Sequence, residues 1–96
     1  MTNRDMEILG FLTLSRMCTR KQVQELLFEN KHQNVPLRRL KKLADDGYVN
    51  RKMFKIENTR SVYVYYLDKK PSKKLVEHDL YITDFLVKLI KNNYEI

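Results

Sequence analysis

The chain has 96 residues and a mass of 11.6 kDa, which suits one small domain with a single core and leaves no room for a separate catalytic lobe. Hydrophobic residues make up 43% of the chain and charged residues 32%, with a mean hydropathy of −0.57 and two Gly and two Pro. This composition excludes fibrous, low-complexity and membrane proteins. We therefore expect residues 1–96 to form one non-enzymatic domain, and the net charge of +7 favours a polyanionic partner.

The basic excess is confined to the middle of the chain. Residues 1–30 have a net charge of zero, residues 31–74 carry +9, and residues 75–96 carry −2. Such segregation favours a binding face over charge spread for solubility, and a solvated basic surface is the alternative.

The chain contains one cysteine, Cys18, so it can form no intramolecular disulfide. Its apolar neighbours predict a buried structural thiol rather than a reactive one. The sequence has no apolar run of 18 residues and no signal-peptide pattern, which predicts a cytoplasmic protein without membrane contact.

Catalytic and metal-binding patterns are missing from the sequence. A DNA-nicking enzyme needs a nucleophilic tyrosine beside a metal held by clustered histidines. The two histidines, His32 and His78, fall in different predicted elements, and no Cys-x-x-Cys or His-x-His spacing occurs. We expect no catalytic residue, no metal and no cofactor, and we expect the tyrosines near residue 65 to be structural strand residues.

Two helices are predicted at the start of the chain. The sequence Thr2-Asn3-Arg4-Asp5 has the spacing of a helix cap and places the start of the first helix near Asn3, with an apolar face that ends near Leu14. Residues 15–18 form a connector or a short strand. The same capping pattern recurs in Thr19-Arg20-Lys21-Gln22 and begins a second helix of about ten residues.

A third helix follows a short polar segment. Pro36 is tolerated in a first helical turn and predicts a helix start there, while Gly47 is the residue expected just after a helix end. Two helices joined by a brief turn, the second of them basic, form a helix-turn-helix candidate.

After Gly47 the pattern changes to the two-residue alternation of strands. Residues 48–55 and 61–67 predict an antiparallel hairpin around a turn at 57–60. In the second strand Tyr63 and Tyr65 share one face, and Val62 and Val64 share the other. Because both faces are apolar or aromatic, the pattern leaves open which face is buried.

Residues 73–93 predict one long helix with a wide apolar stripe, and the chain from residue 75 onward has the slightly negative net charge of −2 given above. Such a helix either lies across the small core alone or uses its surplus apolar surface to bind a second copy of the chain. We favour a homodimer, with an interface formed by Leu75, Ile82, Phe85, Leu86 and Leu89.

The order of elements predicts an α+β winged helix-turn-helix domain with a three-helix core, a two-stranded wing hairpin and a long C-terminal helix. Such domains commonly bind double-stranded DNA with the third helix in the major groove and the wing beside it. Three groups of residues are of the types that read bases or bind phosphates. In the recognition helix, the predicted DNA-binding residues are Gln33, Asn34, Arg38, Arg39, Lys41 and Lys42. In the wing they are Lys52, Lys55, Asn58, Thr59 and Arg60, and the predicted contacts to the DNA backbone are Arg20, Lys21, Lys69 and Lys70.

Five stretches of the sequence together carry a resemblance to a known family. They are Asn3-Arg4-Asp5 with Ile8-Leu9, residues 16–22, Arg38-Arg39-Leu40-Lys41-Lys42-Leu43 running into Asp46-Gly47-Tyr48-Val49, Val64-Tyr65-Tyr66-Leu67, and His78-Asp79-Leu80. These stretches resemble the replication-relaxation family of winged-helix proteins from plasmids and other mobile elements. The resemblance covers nearly the whole chain, and it implies binding at an origin of replication or transfer, with a relaxase or another relaxosome protein as a further partner.

Three functional hypotheses follow. The leading one is a homodimeric, sequence-specific double-stranded DNA-binding protein that acts at a plasmid origin as a relaxosome accessory factor in conjugation. The alternative is a transcriptional repressor of a plasmid or phage operon, which would read DNA through the same contacts. The third is a protein-interaction module whose basic face is incidental.

Overall fold

The computed structural model describes residues 2–56 and 60–94. Over these residues the chain forms four helices and a three-stranded antiparallel sheet, which confirms the α+β class and the predicted order of elements. The elements are α1 (Asn3–Ser15), β1 (Met17–Cys18), α2 (Arg20–Leu27), α3 (Asn34–Asp45), β2 (Asn50–Ile56), β3 (Arg60–Tyr66) and α4 (Val76–Tyr94).

The first two helices begin where their capping patterns place them. The Thr2 hydroxyl accepts a hydrogen bond from the Asp5 amide, and the Asp5 carboxylate accepts one from the Thr2 amide. Thr19 and Gln22 form the same reciprocal pair at the start of α2. Each box provides partners for two backbone N–H groups that would otherwise lack one.

The third helix begins earlier than the sequence indicated. It starts at Asn34 rather than at Pro36, so the proline occupies the third helical position, still within the first turn, where a missing N–H costs no helical hydrogen bond. Its end is as predicted, because Gly47 adopts a left-handed φ of +83° directly after the helix.

The sheet has the strand order β1-β3-β2, so β3 is the central strand. β3 pairs with β2 along its whole length, from Asn50 opposite Tyr66 to Ile56 opposite Arg60, and with β1 over two residues. The predicted wing turn at Asn58 and Thr59 lies outside the described residues.

Both faces of the hairpin are buried near its base, which answers the question that the alternating pattern left open. Tyr65 packs into the main core, which is formed largely by α1, α2 and α3. Val64, its neighbour on the other face, packs with Phe54, Val76 and Leu80 in a second cluster. The hairpin is therefore held from both sides at its base.

The last helix begins at Val76, three residues after its predicted start at residue 73. The amides of Leu75 and Val76 both bond to the Ser72 carbonyl in an isolated turn, and the helix then begins with the bond from the Asp79 amide to the Leu75 carbonyl. Leu75 therefore precedes the helix.

Two buried polar side chains attach α4 to the rest of the domain. The Gln22 amide donates to the Leu80 carbonyl at 2.9 Å and to the Asp84 carboxylate at 3.0 Å. The Thr83 hydroxyl donates to the Met17 carbonyl of β1 at 2.9 Å. These directional bonds fix the rotation of α4 about its axis, because burying either side chain without a partner would cost free energy.

An ion pair connects α1 to α3. The guanidinium of Arg39 donates through Nε and Nη2 to both carboxylate oxygens of Asp5, and the Asp5 side chain is only 3% exposed. The hydrogen bond from Arg39 is the largest cause that lowers the pKa of Asp5 below its usual value of 3.8, while burial acts in the opposite direction. A bidentate pair of this kind fixes orientation as well as distance.

We predict that Asp5→Asn lowers the free energy of unfolding at neutral pH by about 2 kcal/mol, because it leaves a partly buried guanidinium without its charged partner. The lowered pKa means that the stabilisation is fully present above about pH 3.8 and is lost as the pH falls through the native pKa. Urea denaturation over a pH series should therefore show the difference between wild type and variant shrinking only in acid.

Glu7→Gln is the matched control, because it breaks the exposed Arg4–Glu7 pair at 3.4 Å. An exposed pair contributes little, so this change should stay within about 0.5 kcal/mol. Equal stability of the two variants at neutral pH would contradict the role assigned to Asp5.

Candidate nucleic-acid interface

A basic groove of about 320 Å³ runs between α3 and the hairpin. Arg38 and Lys41 approach it from α3, and Arg51 approaches it from β2. None of the described residues that line this groove carries a carboxylate. Its lining residues are Asn34, Leu37, Arg38, Lys41, Arg51, Tyr63 and Tyr65.

Ion pairs divide the basic residues of α3 into two kinds. Lys41 and Lys42 form exposed pairs with Asp45 and Asp46 at 3.1 and 3.2 Å, which solvent screens and a competing phosphate can open. Arg39 is held by the buried Asp5 and is the least exposed of the predicted recognition residues.

Arg38 is exposed in the same groove, and no carboxylate among the described residues binds it. Gln33 occupies the position before α3 without a side-chain capping bond, and Asn34 is the first residue of the helix, so both lie at its N-terminal end as predicted, and both are exposed. Unlike Arg39, which is partly buried, these three side chains are exposed to solvent.

Arg51 and Tyr63 form a pair in the groove that sequence reasoning missed. The guanidinium carbon of Arg51 lies 4.4 Å from the centre of the Tyr63 ring, and Arg51 also interacts with the Tyr65 hydroxyl. Burial raises the pKa of Tyr65, and the contact with Arg51 acts in the opposite direction. The contact with the Tyr63 ring orients the Arg51 guanidinium in advance of any ligand.

Strand register explains why Arg51 reaches this position. Arg51 lies opposite Tyr65, and Met53 lies opposite Tyr63, so Arg51 and Tyr63 are diagonal neighbours on one face. Once the pairing of β2 with β3 is known, the alternation of side chains along β2 places Arg51 on the face of Tyr63 and Tyr65. That pairing could not be predicted from the sequence alone.

The predicted wing residues divide between the two faces of the hairpin. Lys55 shares the face of Arg51, whereas Lys52 and Arg60 lie on the opposite face with Phe54 and Ile56. Lys52 lies 5.5 Å from the centre of the Phe54 ring and close to the ammonium groups of Lys70 and Lys73, which lower its pKa. Lys69 is exposed in the same loop as Lys70.

Arg60 lies with Arg20 and Lys21 in a second cleft, which α2 and α4 form with the part of β3 that β1 does not pair with. This cleft of about 580 Å³ meets the basic groove at Leu37, Tyr63 and Tyr65. Its charge is mixed, because Glu25, Glu77 and Asp84 also line it. Of the two concavities, the groove beside α3 is therefore the better site for a polyanion.

The apolar residues predicted as an interface lie along the outer side of α4. Ile82, Phe85 and Leu89 are exposed by 46%, 62% and 46%, and Leu75 is exposed just before the helix. Leu86 is partly buried. None of these residues lines the basic groove.

Three further features bear on function. Within residues 2–56 and 60–94, no group of three or more His, Cys, Asp or Glu is arranged to hold a metal ion. Among the described helices, none combines the length and the apolar character that a membrane span requires. Cys18 is fully buried in the main core, as predicted, and burial raises the pKa of its thiol.

Taken together, the structure is a small α+β domain with a carboxylate-free basic groove beside its third helix. The chain belongs to the replication-relaxation family, whose model matches residues 9–94. This confirms the resemblance seen in the sequence, and membership suggests a role in plasmid replication or conjugation. No curated protein and no solved structure is significantly similar to the chain.

We predict that the Cys18 thiol does not react with a small thiol reagent in the folded protein and reacts fully in denaturant, because its side chain is buried and its thiolate is disfavoured. Mass spectrometry after alkylation measures this directly. Rapid modification of the native protein would contradict the packing of β1 against the core.

Proposed function

We propose that this chain is a winged-helix protein that binds double-stranded DNA sequence-specifically at a plasmid origin of transfer or replication, as a relaxosome accessory factor in conjugation. The observation that carries the proposal is the groove where Arg38, Lys41 and Arg51 converge without a lining carboxylate. In this proposal α2 and α3 form the helix-turn-helix, and β2 and β3 form the wing.

The charge and chemistry of the groove support DNA over other partners. A basic, carboxylate-free surface suits the phosphate backbone, and exposed Arg and Asn side chains suit base edges in a major groove. Arg38, Gln33 and Asn34 are the proposed base-reading residues. Lys41 and Lys42 contact phosphates after their exposed ion pairs open.

The remaining basic residues divide by their contacts. Arg51 is added to the interface because Tyr63 and Tyr65 hold it in the groove. Lys55 and Arg60 bind backbone phosphates from the wing. Arg39 supports α3 through Asp5, so a DNA contact from it would require that ion pair to open.

The chain performs no catalytic step in this proposal. Strand cutting at the origin belongs to a separate relaxase, and the chain acts by occupying and marking the site. Localisation in the cytoplasm follows from this role.

Chromatin crosslinking in cells followed by sequencing of the bound DNA tests where the protein acts. Occupancy of a plasmid origin is the expected result. Occupancy of promoters alone would favour the transcriptional repressor, which would use the same groove.

We predict that Arg38→Ala lowers the preference for the bound site over a scrambled duplex, at a cost of about 1 to 3 kcal/mol for a lost base contact. Lys55→Ala and Arg60→Ala should instead weaken binding to both duplexes and reduce the salt dependence by about one phosphate contact each. Fluorescence titrations at several salt concentrations separate the two effects.

Arg4→Ala is the control for charge, because Arg4 is exposed on α1 and lies outside the basic groove. If Arg38→Ala keeps the preference for the bound site while Lys55→Ala and Arg60→Ala abolish it, the wing and not α3 reads the bases. Equal affinity of the wild-type protein for specific and scrambled duplexes would favour the protein-interaction module.

The exposed residues of α4 support a homodimer, as is common for proteins that bind symmetric DNA sites. We predict that Phe85→Glu yields a monomer with an unchanged far-ultraviolet spectrum and weaker DNA binding, because it places a charge in an apolar interface. Met6→Glu is the matched control, since Met6 on α1 is equally exposed at 62%.

Analytical ultracentrifugation distinguishes the two variants. A wild-type protein that sediments as a monomer at tens of micromolar would count against the dimer. Conversion to a monomer by Met6→Glu as well as by Phe85→Glu would place the interface elsewhere.

A further inference from the structure

The helix α4 has two apolar faces on opposite sides. One face, with Val76, Leu80, Thr83 and Val87, is buried against the domain. The other carries Ile82, Phe85 and Leu89 at alternating spacings of three and four residues, and it is open to solvent. We call Ile82, Phe85 and Leu89 the outer seam.

The spacing of the outer seam is that of a helix which packs along its length against another helix. His78 and Asn92 continue the same spacing at either end, and both are exposed. The seam is thus polar at both ends and apolar in the middle, at Phe85, as a two-fold symmetric interface requires. In such an interface, if residue i of one copy contacts residue j of the other, residue j of the first copy also contacts residue i of the second.

Charge along α4 favours one relative direction of the two helices. The first part of the helix carries Glu77 and Asp79, and the second part carries the exposed Lys88. Two further charges on α4 are engaged within the chain, because Asp84 accepts a hydrogen bond from Gln22 and Lys91 forms an ion pair with Glu29 at 3.1 Å. An antiparallel arrangement brings the acidic part of each helix beside the basic part of the other and opposes the helix dipoles, whereas a parallel arrangement places like charges together.

The residues beside the seam fit the same direction. Tyr81 is 74% exposed, the largest exposure among the large hydrophobic side chains of the described residues. Lys88 lies seven residues later on the same side of the seam and is also exposed. With antiparallel helices that cross at Phe85, Tyr81 lies next to the partner's Lys88, and a cation over a tyrosine ring is a favourable contact.

We propose that two copies of this chain pair through α4 as an antiparallel, two-fold symmetric helix pair with Phe85 on the axis. Ile82 of each copy packs against the partner's Leu89, and His78 and Asn92 form the outer, polar layers. The occupant of the outer seam is thus a second copy of the chain. This rests on the homodimer proposed above and adds its direction and register.

Disulfide crosslinking of full-length variants that each carry one added cysteine tests the direction. The natural Cys18 is buried and does not compete. We expect a mixture of Ile82→Cys with tagged Leu89→Cys to give the heterodisulfide as its main product, because a disulfide forms only where the two Cα atoms come within about 7 Å. Phe85→Cys alone should give a homodisulfide, and Ile82→Cys or Leu89→Cys alone should remain largely uncrosslinked.

Thr13→Cys on the exposed side of α1 is the control for random collisions. Homodisulfides of Ile82→Cys and Leu89→Cys that equal or exceed the heterodisulfide would establish parallel helices and overturn the proposal. Crosslinking of all seam variants at the level of Thr13→Cys would show that α4 does not pair through this face, and would also overturn it.

The crosslinking is done without DNA, so its result is independent of the DNA-binding proposal. A heterodisulfide in a protein that shows no preference among duplexes would sustain the antiparallel pair and remove the DNA reader. Site-specific DNA binding without crosslinking of the outer seam would support the DNA-binding proposal and overturn the antiparallel pair.

Discussion

The burial of two adjacent residues on the central strand is the constraint on which the rest of the structure depends. Val64 and Tyr65 are 0% and 1% exposed, although they point to opposite faces of β3. A register shift of one residue in either direction would place a tyrosine, Tyr63 or Tyr65, where Val64 is now buried, and that close-packed cluster could not accommodate it. The hairpin is therefore fixed at its base, and Arg51 and Tyr63 are fixed with it beside α3.

Ion pairs within the chain decide which basic side chains remain available to an anionic partner. The segment 31–74 carries a net +9, but its charges are not equivalent in the folded chain. Arg39 is used to join α3 to α1 through Asp5, while Arg38, its neighbour in sequence, points into the groove. Net charge predicts an anionic partner, and the ion pairs then determine which side chains can meet it.

Features that depend on neighbouring residues could be predicted from the sequence, and features that depend on distant ones could not. The caps of α1 and α2 and the left-handed Gly47 are local, and each was predicted. The pattern does not predict which face of the hairpin is buried, because both faces are apolar and their burial depends on helices elsewhere in the chain. Arg51 was missed because its role depends on the register between strands. The partner of Arg39 lies 34 residues away, so spacing alone gave it the same role as Arg38.

We propose that the groove between α3 and the hairpin binds double-stranded DNA. The most direct test is a titration of the isotopically labelled protein with a duplex that it selects from a random pool, followed by amide and arginine side-chain NMR signals. We expect the largest shifts at Asn34, Arg38, Arg51 and Tyr63, with little change in the outer seam of α4. Shifts confined to α4, or a failure to select any duplex, would contradict it.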